Sequence, residues 1–232
     1  MSDTAKIDED PVADVKARVL SAALPIVPFD GWSDRTLAEA VRDAEVDPAL
    51  SRLAFPRGGV DLALAFHAQS DATLRSYLET TDLSALRYSE RVAQAISQRL
   101  DIVAPHREAV RRAASLFALP IWAPDGARAV WQTSDTIWKG LGDTSRDVNY
   151  YTKRATLSTV YSSVVLYWLG DDSEGQVATR AFIDRRIENV MQFEKLKSSV
   201  KNTSIGRALE AGAERLFDRV RAPEPGPGRW ED

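Results

Sequence analysis

The sequence predicts an all-α fold, and three observations carry that prediction. Apolar residues recur at spacings of three and four along segment after segment, while no stretch alternates with the period of two that a half-buried strand needs. Helix start and stop residues (Ser, Thr or Asp before a periodic run, Pro or Gly after it) punctuate those segments. The chain of 232 residues is 44% hydrophobic and 28% charged, which suits one or two helical cores.

Val12, Val15, Val19, Ala22, Ala23 and Ile26 mark a first amphipathic helix, stopped by Pro25 and Pro28. Ser33 or Asp34 caps a second, which carries Leu37, Ala40 and Val41. Asp47 before Pro48 starts a short third through Leu50 and Leu53, since Pro is preorganised for a helix's first turn. A fourth follows Gly58 and Gly59 and runs through Leu62, Ala65 and Phe66 to Leu78. Further helices are expected over Tyr88–Leu100 and Pro105–Leu119, and where Val130, Ser134, Ile137, Trp138 and Leu141 share one face. Thr144 with Asp147 three residues on reads as a capping box for the next, which ends in TLSTVYSSVVLYWLG. After the turn at Gly170, Asp171 and Asp172, a helix containing FIDRRIENVMQFEKL packs Ile183, Ile187, Val190 and Met191 inward. Asn202–Ser204 recaps the pattern before a final helix, and the closing APEPGPGRWED is read as disordered.

A formal charge of −4 gives no global pull toward nucleic acid or anionic membrane. Without Cys, the chain has neither a disulfide framework nor thiolate chemistry, in keeping with a reducing compartment. MSDTAKIDEDP is acidic and has no signal or transit pattern, and no apolar run reaches the ~20 residues a membrane span needs. A cytoplasmic protein is expected.

The first three helices imitate a helix-turn-helix and resemble the DNA-binding head of TetR-type repressors. A groove reader needs cations on its short helix, because phosphate neutralisation supplies most nonspecific affinity. From Pro28 to Asp61 there are seven acids against Arg35, Arg42, Arg52 and Arg57, and Glu45 occupies the turn where such repressors have Gly. The head therefore reads as a degenerate helix-turn-helix.

The segment WKGLGDTSRDVNYYTKR at Trp138–Arg154, the charge-free run Ala155–Leu169 and FIDRRI at Phe182–Ile187 are the most informative part of the chain. Asp143, Ser145, Asp147 and Asn149 are residues a helix start needs to satisfy its free amides, and Lys153 and Arg154 suit structural ion pairs with Asp147 or with Asp184, Arg185 and Arg186. A charge-free helix with apolar residues on more than one face must be covered by protein, ligand or partner.

Taken together, these motifs closely resemble the C-terminal signature of the Coq nine family of ubiquinone-biosynthesis accessory proteins. The resemblance implies a TetR-like helical bundle that binds lipid and presents it to a partner hydroxylase. It divides the chain into a helix-turn-helix-like region (1–58), a lipid-binding bundle (59–200), an amphipathic helix (201–221) and a tail (222–232). It also implies a lipid pocket walled by Trp131, Ile137, Trp138, Tyr161, Val164, Val165, Phe182, Ile183, Ile187 and Met191. Partner contact falls to Tyr167, Trp168, Asp171, Asp172 and Arg180. The family usually has a Trp before the AF of its last bundle helix, and here that position is Arg180.

Ile205, Leu209, Leu216, Phe217 and Val220 form an apolar stripe in the place where the family's membrane-docking helix lies, flanked by Arg207, Arg215, Arg219 and Arg221. A helix folded back on the bundle or on another subunit fits the same pattern. The implied partners are an isoprenoid lipid or quinone intermediate, the inner face of a membrane, a di-iron demethoxyubiquinone hydroxylase or its equivalent, and a second copy in a homodimer. Nucleic acid is not among them.

Catalysis finds no motif. His67 and His106 lack the neighbouring Glu or His of a di-iron or zinc helix, and the sequence has no GxSxG, Walker loop or dinucleotide GxGxxG. No catalytic residue, metal or cofactor is expected. A TetR-type regulator sensing a hydrophobic effector is the alternative that the head leaves open.

Overall fold

The computed structural model describes residues 11–201, with side chains through residue 192, and every regular element among them is helical. The helices gather into two compact units. The first takes the residues up to Thr73 together with Asp101–Ala129; the second takes Leu74–Leu100 and the residues from Val130.

In the first unit, α1 (Pro11–Ala23) buries Val15, Val19, Leu20 and Ala23, a helical stripe that packs on α3 (Asp34–Asp43) and α4 (Pro48–Ala54). Between them lies a single turn, α2 (Val27–Asp30), which the sequence reading misses: the prolines that end α1 also start this turn, and Gly31 closes it at φ +67°. Ser33 caps α3 by accepting from Thr36 N at 3.1 Å, and Asp47 caps α4 by accepting from Ala49 N at 2.7 Å, both at expected positions. Glu45 holds φ +50° in the α3–α4 turn, so it adopts the conformation that favours glycine there.

Helix α4 departs from expectation in its facing. Ser51 and Ala54 are buried, while Leu50 and Leu53 are 41% and 66% exposed. The small pair faces inward on a helix that packs against α1, which turns the two leucines to solvent.

Helix α5 (Gly59–Thr80) starts where Asp34 Oδ1 accepts from Gly59 N at 2.9 Å. A Cβ on Gly59 would stand 2.5 Å from Trp32 O, so only glycine allows this approach. Trp32 is buried, with its indole donating to Ala109 O at 2.9 Å and its ring 5.4 Å from that of Phe66. Ala109 lies on α7 (Arg107–Phe117), entered through the 3₁₀ turn Ala104–His106.

The second unit is built from the end of α5, most of α6 (Tyr88–Val103), most of α8 (Ala123–Gly140), α9 (Val148–Leu169) and α10 (Val177–Lys201). A Cβ on Gly140 would fall 2.5 Å from Leu78 Cδ1, so glycine here lets the ends of α5 and α8 approach. The cap of α9 is Asp147 itself, accepting from Asn149 N at 3.0 Å. The helix thus begins after Asp147, and the expected box with Thr144 does not form. Helix α9 packs on α10. The side chain of Asp171, in the loop between them, accepts from Ser173 N and Thr179 N at 2.9 and 2.8 Å and from the Thr179 hydroxyl. Residues 202–232, which include Ile205, Leu209, Leu216, Phe217 and Val220, lie outside the described residues.

Candidate functional site

The signature segment builds a charged knot at the α8–α9 hairpin. Arg154, 1% exposed, donates from Nε to Asp135 Oδ1 at 2.6 Å and from Nη1 to Asp143 Oδ2 at 3.2 Å and to Tyr150 O at 3.1 Å. Lys153 Nζ reaches Asp143 Oδ1 at 2.6 Å and Ser145 Oγ at 2.9 Å, and Lys139 Nζ reaches Asp135 at 2.9 Å. The Tyr150 ring lies 3.6 Å from the Arg154 guanidinium carbon. Burial alone would push Asp143 up, but the hydrogen bonds from Lys153, Ser145 and Arg154 outweigh it and hold this carboxyl below the usual range. The Tyr88 and Tyr150 phenols go the other way, raised by burial and then by Asp143 and Asp135 respectively.

Lys153 and Arg154 thus form structural ion pairs, as expected, but with Asp135 and Asp143 rather than with Asp147 or Asp184. Asp147 is spent on its cap, and Asp135 faces Arg154 from the preceding helix. Sequence spacing gives no sign of that crossing, because the two residues are brought together by the hairpin.

Helix α9 turns one stripe inward, at Leu157, Val160, Tyr161, Val164 and Trp168. Its other side carries no charge and leaves Leu166 66% exposed and Tyr167 38% exposed. The Tyr167 ring stacks on Phe182 of α10 at 4.3 Å with the planes 3° apart, and the guanidinium carbons of Arg186 and Arg185 lie 5.0 and 5.7 Å from the Phe182 ring. This surface joins a large apolar side chain, a stacked aromatic pair and clustered cations, the residue types that anchor protein interfaces.

The residues expected to wall a pocket divide by depth. Ile137, Tyr161, Val164 and Ile183 are buried in the second unit. Trp131, Trp138, Val165, Phe182 and Ile187 are half-buried, and Trp131 lies 6.2 Å from the Tyr151 ring. Met191 is 46% exposed and does not pack inward, whereas Ile183 on the same helix is buried and Ile187 and Val190 are half-buried. Of the residues expected at a partner surface, Tyr167, Asp172 and Arg180 are exposed. Trp168 is fully buried, its indole donating to Gln176 Oε1 at 2.9 Å, and the buried Asp171 carboxylate is occupied by the start of α10. Neither is the surface contact that the sequence reading expects; both side chains bond within the α9–α10 connection.

Three of the four arginines between Pro28 and Asp61 pair with acids. Arg35 pairs with Asp30 at 3.6 Å, Arg42 with Glu39 and Asp43 at 4.0 and 3.5 Å, and Arg57 with Asp61 and Asp125 at 2.8 and 3.0 Å. An open groove of about 470 Å³, unforeseen from sequence, lies in the same unit among Ser21, Leu24, Pro25, Pro28, Pro105, His106, Glu108 and Ala109. Arg112 donates to Pro28 O at 2.8 Å and pairs with Glu108 at 3.4 Å, so two polar groups of that groove already have partners. His67 contacts Ala129 O at 3.0 Å and Asp71 at 3.4 Å. No group of three metal-ligating side chains is found among the described residues, nor a helix long and apolar enough to cross a membrane.

A TetR transcriptional regulator from Nitrosomonas europaea ATCC 19718 superposes on 77% of this chain, and on 97% of its own, with a TM-score of 0.58 at 22% sequence identity. The molecule therefore has the TetR fold. The COQ9 family model matches residues 123–194, a span that opens with α8 and takes in α9 and much of α10. Ubiquinone biosynthesis protein COQ9, mitochondrial, is 32% identical in Rattus norvegicus over 205 residues (85% of this chain, 65% of that protein) and 31% identical in Homo sapiens over 202 residues (84% and 63%). COQ9-B of Xenopus laevis is 31% identical over 205 residues, covering 85% of this chain and 69% of its own. The chain belongs to the COQ9 family, and it spans just under two thirds of the rat and human relatives.

Proposed function

We propose that this protein acts in ubiquinone biosynthesis as a non-catalytic accessory factor that binds an isoprenoid quinone intermediate and presents it to a membrane-associated hydroxylase. The observation that carries this reading is the coincidence of the family match with the charge-free run Ala155–Leu169 of α9 and its stacked, cation-flanked surface. The buried stripe of α9 supplies the apolar interior, which is the chemistry that takes up a lipid tail. Leu166, Tyr167 and Phe182 supply the docking face, with Arg180, Arg185 and Arg186 around it. The stripe from Ile205 to Val220 supplies the membrane contact, placing the protein peripherally at the inner face of the membrane, where it acts as a homodimer.

Replacing Tyr167 with Ala or Leu166 with Glu should lower quinone hydroxylation in cells and abolish co-purification with the hydroxylase, while the purified variants keep their fold. Full quinone synthesis in both variants would move the docking surface elsewhere. An electrophoretic shift with genomic DNA fragments tests the regulator reading. No shift is expected, because three arginines of the head are already paired with acids and its recognition helix presents Leu50 and Leu53.

A further inference from the structure

Two buried indoles of this chain place their N–H on a carbonyl oxygen: Trp32 on Ala109 O and Trp168 on Gln176 Oε1. Trp138 breaks the pattern, since its Nε1 is shielded from solvent and meets no acceptor among the described residues. Arg107 Nε and Arg186 Nε are also unmatched, but a guanidinium has further N–H groups to use and an indole has only one. At position 138, therefore, the one polar group of the side chain has no partner among the described residues.

The ring is also restrained. It stacks with Tyr88 at 5.9 Å and 27°, and Lys153 Nζ stands 5.5 Å from its centroid, fixed in turn by Asp143 and Ser145. Turning the indole toward another acceptor would sacrifice both contacts. A Phe at this position would keep an aromatic stack and a cation contact without leaving a dry donor, which is an unfavourable state for a buried group. Tryptophan is useful where an apolar body must also deliver one hydrogen bond. What the N–H lacks is an acceptor brought in from outside, and the aromatic setting suits one carried on a flat apolar ring.

We propose that the Trp138 indole N–H is the polar anchor for a ring oxygen, carbonyl or ether, of the quinone-type head of the bound lipid. This assignment rests on the lipid-binding reading above and deepens it: the interior takes the hydrocarbon tail, and Trp138 distinguishes a head bearing oxygen from a plain hydrocarbon.

The test compares decylubiquinone with squalene, each titrated into the full chain and measured by co-elution in gel filtration followed by mass spectrometry. Trp138→Phe should weaken decylubiquinone binding about fivefold, the equivalent of one ordinary hydrogen bond, and leave squalene binding unchanged. In the wild-type protein, labelled with ¹⁵N, one indole N–H resonance, assigned to Trp138 by elimination through Phe variants of the other tryptophans, should move downfield with decylubiquinone and stay in place with squalene. That measurement holds even where Trp138→Phe folds poorly. Equal binding of decylubiquinone by the variant and the wild type, an equal loss for both probes, or an indole resonance indifferent to decylubiquinone would overturn the anchor while leaving the lipid reading intact. Failure of the wild-type protein to bind either probe would remove both.

Discussion

Arg154 carries a full charge in the interior, and its cost is met only because Asp135, Asp143 and the Tyr150 carbonyl surround it. Arg154→Met would strand two carboxylates, one of them almost completely buried, with Lys153 and Lys139 as their remaining cations. A loss of about 3 kcal/mol in denaturant unfolding is expected, toward the low end of the range for breaking a buried pair because Asp135 retains some solvent. A loss below about 1 kcal/mol would show the knot to be dispensable.

Asp143 and Asp171 both have folded-state pKa values below the ordinary 3.8; for Asp171 the cause is hydrogen bonding from Ser173 and then Thr179. A carboxylate held down in this way stabilises the fold fully above its unfolded value, and that contribution disappears as pH falls through the folded value. The unfolding midpoint should therefore be flat near neutrality and decline below about pH 4. Asp171→Asn should lower the midpoint at pH 7 and make the acid decline shallower. An unchanged acid branch would mean that this cap does not contribute to it.

Glu45 sits at φ +50° in a turn that side chains rarely adopt. Glu45→Gly should therefore raise stability by up to about 1 kcal/mol, after allowing for glycine's own entropy. A drop in the thermal midpoint would show that the Glu45 side chain matters more than its backbone.

Legibility at the level of elements followed the locality of the signal. Ser33 and Asp47 were readable as caps because the cap and its acceptor geometry lie within three residues. The turn Val27–Asp30 was not, because prolines that stop one helix and begin another look the same in sequence. Leu50 and Leu53 mark a helix correctly but point outward, since periodicity identifies a face without saying whether it is the buried one. The same ambiguity placed Met191 inside.

For α9, the absence of charge called for cover on more than one face, and the structure covers one: Val164 has no solvent exposure, while Leu166 is 66% exposed. Val164→Trp should cost about 1–3 kcal/mol by overpacking and remove lipid from the purified protein. Retained lipid at wild-type level would place the ligand away from this stripe. If the Ile205–Val220 stripe contacts membrane as proposed, Leu209→Asp with Leu216→Asp should weaken liposome co-sedimentation by roughly 1.5 to 3 kcal/mol per side chain. Undiminished vesicle binding would favour a helix packed back on protein.

For the molecule as a whole, the sequence carried the family through the segment from Trp138 to Ile187, which lies inside the matched residues 123–194. It carried the TetR architecture through the family resemblance and, in the head, through the order and lengths of the first three helices. The Arg154 knot and the Tyr167–Phe182 stack were beyond it, because each joins residues that only helix packing brings together. In the head, the helices keep the order of the TetR fold, while Arg35, Arg42 and Arg57 pair within the unit and α4 presents leucines.

The proposal stands on an isoprenoid lipid held in the interior of the second unit. The most direct measurement is mass spectrometry of the solvent extract from purified full-length wild-type and Val164→Trp protein, both verified as folded by circular dichroism. The account predicts an isoprenoid quinone or its precursor in the wild-type extract and a strongly reduced amount from the variant. A wild-type extract without isoprenoid lipid, obtained from a membrane-containing lysate, would contradict it.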